Sequence, residues 1–228
     1  DLVTQADLAS QEAVRKTVLG AFPEHSLLGE ESVPGDDSCT RAEFRWIVDP
    51  LDGTTNFVHG VPFYCVSLAL ERKGELLVGA VYDPTRDDCF LAVKGQGAHL
   101  NGQPIHTSHA TKTSDALAAV GFPYNATRTS PDVLLFLAML NQCQGIRRTG
   151  SSALNLCYLA AGRFDINWAY ATHIWDIAAG VLILREAGGQ IISTTGGELS
   201  LEEPRFLAAA TPELLAQLRD IATTAVPQ

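Results

Sequence analysis

Basic residues are scarce in this chain. Lys and Arg number 16 against 26 Asp and Glu, which gives a formal net charge of -10 over 228 residues. A surface of that sign argues against nucleic-acid binding, which needs a basic stripe to meet the phosphates. Long apolar runs are missing as well. None reaches the roughly 18 residues of a membrane-spanning helix, so no membrane partner is expected. No leader with a basic start and an apolar middle opens the chain, so no secretory signal is expected. CxxC pairs are absent, and the cysteines (Cys39, Cys65, Cys89, Cys143 and Cys157) are odd in number. Several stand in apolar runs such as YCVSLAL and ALNLCYLAA. Buried free thiols are usual in that setting, which points to a reducing, cytoplasmic compartment.

What the chain does hold is core material. Apolar residues make up 46% and aromatics 7%, enough for one large domain or two smaller ones sharing an interior. Val14, Val18 and Phe22 recur at helical spacing within 8–22, and Pro23 ends that helix. A short strand, SLLGEES, runs into acids, and VPGDDSCTRAE reads as a polar loop. FRWIV, YCVSLALE, ELLVGAVYD and CFLAV are β-rich runs divided by turn chemistry, and Asn101-Gly102 marks a hairpin. This first half predicts one helix and a mainly antiparallel sheet. Beyond it, strands such as ALAAVGF, GIRRTG and FDINWAY alternate with helices such as PDVLLFLAMLNQ, SSALNLCYLAAG and HIWDIAAGVLILREAGG. QIISTT, FLAAA and a last helix, TPELLAQLRDIA, complete an α/β layer. A division near residue 108 follows, into an α+β half over 1–108 and an α/β half over 109–228 with a shared core.

The run RWIVDPLDGTTNFVHG raises the functional question. Two carboxylates, Asp49 and Asp52, stand where an apolar strand gives way to turn residues. A plain Asp/Gly turn is the bland explanation. Against it, Ile47 and Val48 lead straight into Asp49, Pro50 stiffens the turn, and Gly53 frees the backbone. The amides of Gly53 and Thr54 are then open to an anion beside rigid carboxylates, as binding both Mg²⁺ and phosphate requires. Glu30 ends another strand, Asp176 opens an apolar helix after Trp175, and Asp7 reads alone as a helix cap. Glu30, Asp49, Asp52 and Asp176 are four acids at element ends with no cluster of Arg or Lys to neutralise them. Gathered together, they need divalent cations.

WIVDPLDGTTNFVHG and IWDIAAGVLILREAGG resemble the two signature segments of the inositol monophosphatase family. LGEES and DLVTQAD match two further family elements in order, and GIRRTGSSALNLCYLAAGRFD extends the likeness over essentially the whole chain. The resemblance implies a layered αβαβα fold, Mg²⁺-dependent phosphomonoester hydrolysis, Li⁺ sensitivity and a homodimer. It implies that Glu30 and Asp49, with the Leu51 carbonyl, bind one Mg²⁺, that Asp49, Asp52 and Asp176 bind a second, and that a third sits loosely near Glu30. By the same resemblance the phosphate rests on Gly53 and Thr54. Thr54 with Asp7 orients a metal-activated water for in-line attack, Glu30 shares in catalysis, and Asp52, Ser152 and Asp176 face the substrate. The acidic surface is then no obstacle to an anionic substrate, because bound cations invert the local potential. A haloacid-dehalogenase reading of DPLDGT fails on spacing: two residues, not one, separate the acids.

The likeness loosens at the substrate. Seven residues before the second-signature Asp, where the family carries an inositol-contacting Glu, this chain has Ala169. That implies a broader enzyme, or one for another small phosphate such as a sugar, histidinol or nucleotide phosphate. Relatives also carry a helical segment ahead of DLVTQAD that this sequence does not show. The non-enzyme alternative is a metal-binding relative that acts as an assembly partner. His59, His173, Trp168 and Trp175 read as packing or hydrogen-bonding residues, Thr55 and Asn56 as ties within the turn. Arg147 and Arg148 read equally as anion contacts or as solvated or interface residues.

Overall fold

The computed structural model describes residues 3–31 and 42–226. Ser32, Cys39 and most of the polar loop expected over VPGDDSCTRAE lie outside them, as do the first two residues of DLVTQAD.

Two sheets carry the architecture. The first has seven strands in sequence order: β1 (Ser26–Gly29), β2 (Phe44–Asp52), β3 (Cys65–Arg72), β4 (Glu75–Asp83), β5 (Asp88–Val93), β6 (Ala98–Leu100) and β7 (Gln103–Ile105). Only the β1–β2 pairing is parallel. The β6–β7 hairpin turns on Asn101 and Gly102, both at positive φ (50° and 77°), as the Asn-Gly signal predicts. The second sheet follows the order β11-β12-β10-β8-β9. Its strands are β8 (Leu117–Val120), β9 (Gly145–Arg148), β10 (Ile166–Ala169), β11 (Gln190–Ser193) and β12 (Phe206–Ala209).

Helices fill the layers around these sheets. The first, α1 (Gln5–Ala21), lies on β1 and β2. Between the sheets run α4 (Ser152–Ala160) and α5 (Ile174–Glu186), which pack on each other and on β3 and β4. Behind the second sheet lie α3 (Pro131–Met139) and α6 (Pro212–Ala225). Strand alternation explains the layering. Ile47 of β2 joins the core cluster beneath α4 and α5, whereas a side chain at Gly29, beside Val48, would meet Gln11 of α1. The main cluster is inter-sheet, and a second, built on Trp168, Leu135 and Leu214, seals the outer face of the second sheet. The result is the expected αβαβα sandwich. At one point the packing admits only glycine: a Cβ on Gly79 would stand 2.7 Å from the Ala179 carbonyl oxygen of α5.

Three local expectations are corrected. The first helix begins at Gln5 rather than near residue 8. Its cap is Thr4, and Asp7 sits in the first turn, returning the bond to the Thr4 amide at 2.8 Å. DPLD is not a turn after the strand but the end of β2 itself. Pro50 is tolerated there because the β2–β3 register shifts between Asp49 and Asp52, and β1 stops pairing at Val48.

A pocket walled by carboxylates

β1 and β2 run parallel and deliver their acids to the same edge of the sheet. Glu30 follows β1 directly, its amide donating to the Val48 carbonyl at 3.2 Å, and Asp49 is the next residue along β2. Asp49 is 2% exposed, and its Oδ1 accepts the Leu51 amide at 3.0 Å. Gly53, at φ 97°, swings the chain from β2 into a short helix, α2 (Thr54–Val58). A Cβ there would crowd the Phe63 carbonyl at 3.0 Å.

Asp52 is held from the other half of the chain. Its Oδ2 accepts the Ser151 hydroxyl at 2.6 Å and the Ala153 amide at 2.7 Å, and its Oδ1 lies 3.3 Å from the Ser152 amide. Ser151 is the N-cap of α4, so its oxygen also takes the Leu154 amide at 3.2 Å. With that acceptor role filled, the hydroxyl proton points at Asp52. The Cys65 thiol lies 3.9 Å away. Asp176 stands in the first turn of α5 and accepts the His173 amide at 2.8 Å. Asp7, 1% exposed, reaches the site from α1: its Oδ1 is 3.2 Å from Thr54 Oγ1, which is also 3.0 Å from the Leu51 carbonyl. The single Thr54 proton serves one of these acceptors at a time.

Glu30, Asp49, Leu51, Asp52, Gly53, Thr54 and Asp176 line one cavity of about 540 Å³. Further lining comes from 121–125, from Gly150–Ser152, from Ala169 at the end of β10 and from Ala171, Thr172 and His173 after it, and Arg148 stands among the lining residues. Burial dominates the electrostatics. Asp49 is pushed well above the ordinary carboxylate range by desolvation, then by the charges of Asp52, Glu30 and Asp176. Asp176 rises to about 8 through burial and the Asp52 charge, and Glu30 to about 7 through burial and Glu31. The interaction with Asp49 opposes the rise at Glu30. Asp52 is raised by burial against the pull of its four donors.

Among the described residues, no Arg, Lys or His pairs with any of these acids. Nor do three His, Cys, Asp or Glu side chains there form a group spaced to hold a metal ion. Asp52 and Asp176 are instead turned onto backbone amides. The donor chemistry nonetheless fits a hard cation: the set is all oxygen, and its raised proton affinities mark negative charge without compensation.

The other singled-out residues have defined places. Asn56 is buried and its amide bonds the carbonyls of Phe63 (2.7 Å) and Thr149 (2.8 Å), tying α2 across to the start of α4. Thr55 reaches Tyr124 instead. Trp168 is core, while Trp175 is half-buried with His173 stacked on it at 4.8 Å. His59 caps α2, and Arg147 and Arg148 are exposed on edge strand β9. Sequence reasoning missed Ser151, Ala153 and Tyr124. The cap signal in GSSA was visible, but nothing local says which carboxylate a helix end will meet 99 residues away.

Fold and pocket define a layered α/β protein with an acid-walled cleft between its two sheets. The family model for the inositol monophosphatase family matches residues 1–225. The chain is 41% identical over 224 residues to Nus factor SuhB of Pasteurella multocida, covering 96% of this chain and 81% of that protein. It is 38% identical over 230 residues to inositol-1-monophosphatase of Rhizobium meliloti, covering 100% and 85%. The solved inositol monophosphatase of Anabaena superposes with a TM-score of 0.89 at 38% identity, over 99% of this chain and 88% of that one. The chain belongs to the inositol monophosphatase family.

Proposed function

We propose that this protein is a Mg²⁺-dependent phosphomonoester hydrolase acting on a small phosphorylated alcohol. The observation that carries the reading is the meeting, in one cavity, of Glu30, Asp49, Asp52 and Asp176 with raised proton affinities and no cationic partner among the described residues. Such a set takes up positive charge, as protons or as divalent cations. Glu30, Asp49, the Leu51 carbonyl, Asp52 and Asp176 would hold two or three Mg²⁺ ions. When bound, Mg²⁺ neutralises phosphate charge, makes water a better nucleophile and stabilises the leaving oxygen.

The chain's own groups do the positioning. The backbone amides of Gly53 and Thr54, where α2 begins, receive phosphate oxygens. Thr54 Oγ1 accepts a hydrogen bond from the attacking water while donating to Asp7, which orients that water and gives its proton a path. Asp52 and the Ser152 hydroxyl meet hydroxyls of the alcohol. The residues over 1–108 thus bring most of the acids, and those over 109–228 bring Asp176 and Ser152. Homodimerisation and a cytoplasmic location belong to the same reading.

Ala169 leaves the alcohol side of the pocket without the carboxylate that would select inositol. Inositol, sugar, histidinol and nucleotide monophosphates therefore compete on more equal terms. The test is phosphate release across that panel with Mg²⁺ and with EDTA, beside Asp49→Asn and a LiCl titration. Metal-dependent release that Asp49→Asn abolishes and Li⁺ inhibits is expected. Strong preference for inositol 1-phosphate would overturn the substrate reading. The name Nus factor borne by SuhB relatives favours a second reading, in which the chain acts through a protein partner. Folded, metal-loaded protein that releases phosphate from none of the panel would establish it over the first.

A further inference from the structure

The stripe of α1 that faces β1 and β2 has a polar half. Asp7, Gln11, Val14 and Val18 recur at i, i+4, i+7 and i+11, the spacing of one helix face. An apolar stripe would be enough to hold the helix on the sheet. Instead its first two positions are polar, and each reaches a different part of the site. Asp7 meets Thr54 at 3.2 Å. Gln11, half-buried, extends its Oε1 to the Glu31 amide, which donates to it at 3.1 Å.

That contact brackets Glu30. The Glu30 amide donates to the Val48 carbonyl at 3.2 Å, and the next amide along the chain donates to Gln11. The two peptide planes that flank Glu30 are therefore both held, and its Cα–Cβ bond leaves the chain in one direction. Glycine at position 29 is what lets Gln11 in. A Cβ there would stand 2.2 Å from Gln11 Oε1 and 2.7 Å from its Cδ. The φ of Gly29 lies outside the left-handed region, so the glycine serves close approach rather than a turn. Resting on the hydrolase reading above, we propose that Gln11 is a positioning residue for Glu30. It holds the turn that aims this carboxylate at the cavity, and so sets the affinity for the divalent cation that Glu30 would help to bind.

The test titrates Mg²⁺ into EDTA-treated, dialysed protein by calorimetry, with urea midpoints measured in EDTA. Wild type is compared with Gln11→Ala, Gln11→Glu and Gly29→Ala. Gln11→Ala removes the acceptor at no cost to helix propensity. It should raise the Kd for Mg²⁺ by about 10- to 100-fold, as loss of a group that orients a metal-binding side chain does. Gln11→Glu keeps an oxygen for the Glu31 amide and should stay within about threefold of wild type. Gly29→Ala pushes the Gln11 side chain aside and should reproduce the Gln11→Ala loss. The two losses should not add in the double variant, because both break one contact. Phosphate release by Gln11→Ala should need about 10- to 100-fold more Mg²⁺ for its half-maximal rate. A lowered urea midpoint with an unchanged Kd for Mg²⁺ would make Gln11 a structural contact alone and overturn the proposal. So would a Gln11→Glu protein as weak as Gln11→Ala. Wild type that binds Mg²⁺ but releases phosphate from none of the panel sinks the hydrolase reading, and the titration then decides Gln11 by itself. Wild type that binds no Mg²⁺ overturns both.

Discussion

Replacing Ser151 by alanine removes one hydroxyl from the pocket wall and tests how Asp52 is held. That hydroxyl is 2.6 Å from a carboxylate oxygen that is itself buried, and Ser151 is only 1% exposed. A hydrogen bond to a charged group contributes about 1.5–3 kcal/mol net, and loss of a Ser N-cap costs about 1 kcal/mol. Both effects act through one oxygen and are not independent, so the expected loss is about 2–3 kcal/mol rather than the full sum. Asp52 keeps the Ala153 and Ser152 amides, which holds the loss below that of stranding a buried charge. Urea unfolding followed by linear extrapolation reads the change directly. Ser151→Thr, which keeps the hydroxyl, should recover most of it. In the Asp52→Asn background the Ser151→Ala penalty should shrink, because the bond is no longer charge-assisted. A Ser151→Ala protein within about 0.5 kcal/mol of wild type would refute the reasoning, since surface-like changes stay in that range.

Asp132, buried in the first turn of α3, accepts the Tyr170 amide at 2.9 Å, and burial raises it from 3.8 to about 6. A folded value above the unfolded one contributes stability below about pH 4 that is lost as pH rises through 6. Asp132→Asn should therefore stabilise at pH 8 by up to about 3 kcal/mol and have little effect at pH 4, and equal urea midpoint shifts at both pH values would contradict this. Gly79→Ala should destabilise by about 1–3 kcal/mol, because its Cβ would force β4 away from the α5 backbone. A thermal midpoint equal to wild type would show the sheet and helix to be less tightly apposed. Asp7→Asn keeps an oxygen for the Thr4 amide but removes the charge facing Thr54. It should lower kcat by about 10²–10⁴-fold with a small change in urea midpoint, and an unaltered kcat would remove Asp7 from the mechanism.

Local patterns were read correctly where local physics decides. Hydrophobic periodicity gave the helices and strands, Asn101-Gly102 its hairpin, and two glycines the end of α5. Where partners lie far along the chain, local reading went astray. Pro50 looked like the stiffener of a turn because its tolerance inside the strand depends on a register shift against β3. Asp7 looked like a cap because its neighbour across space, Thr54, is 47 residues away.

By itself the sequence determined the layered fold, the family and the acids that a metal-and-phosphate chemistry calls for, since residue type and spacing carry that information. Only the tertiary structure decided which groups meet. Parallel pairing of β1 with β2 sets Glu30 beside Asp49, and the N-terminus of α4 captures Asp52. The loop after β8 brings Tyr124 to Thr55 of α2 beside the same cavity. These are long-range contacts, settled by how helices and sheets pack, and no window along the chain contains both partners.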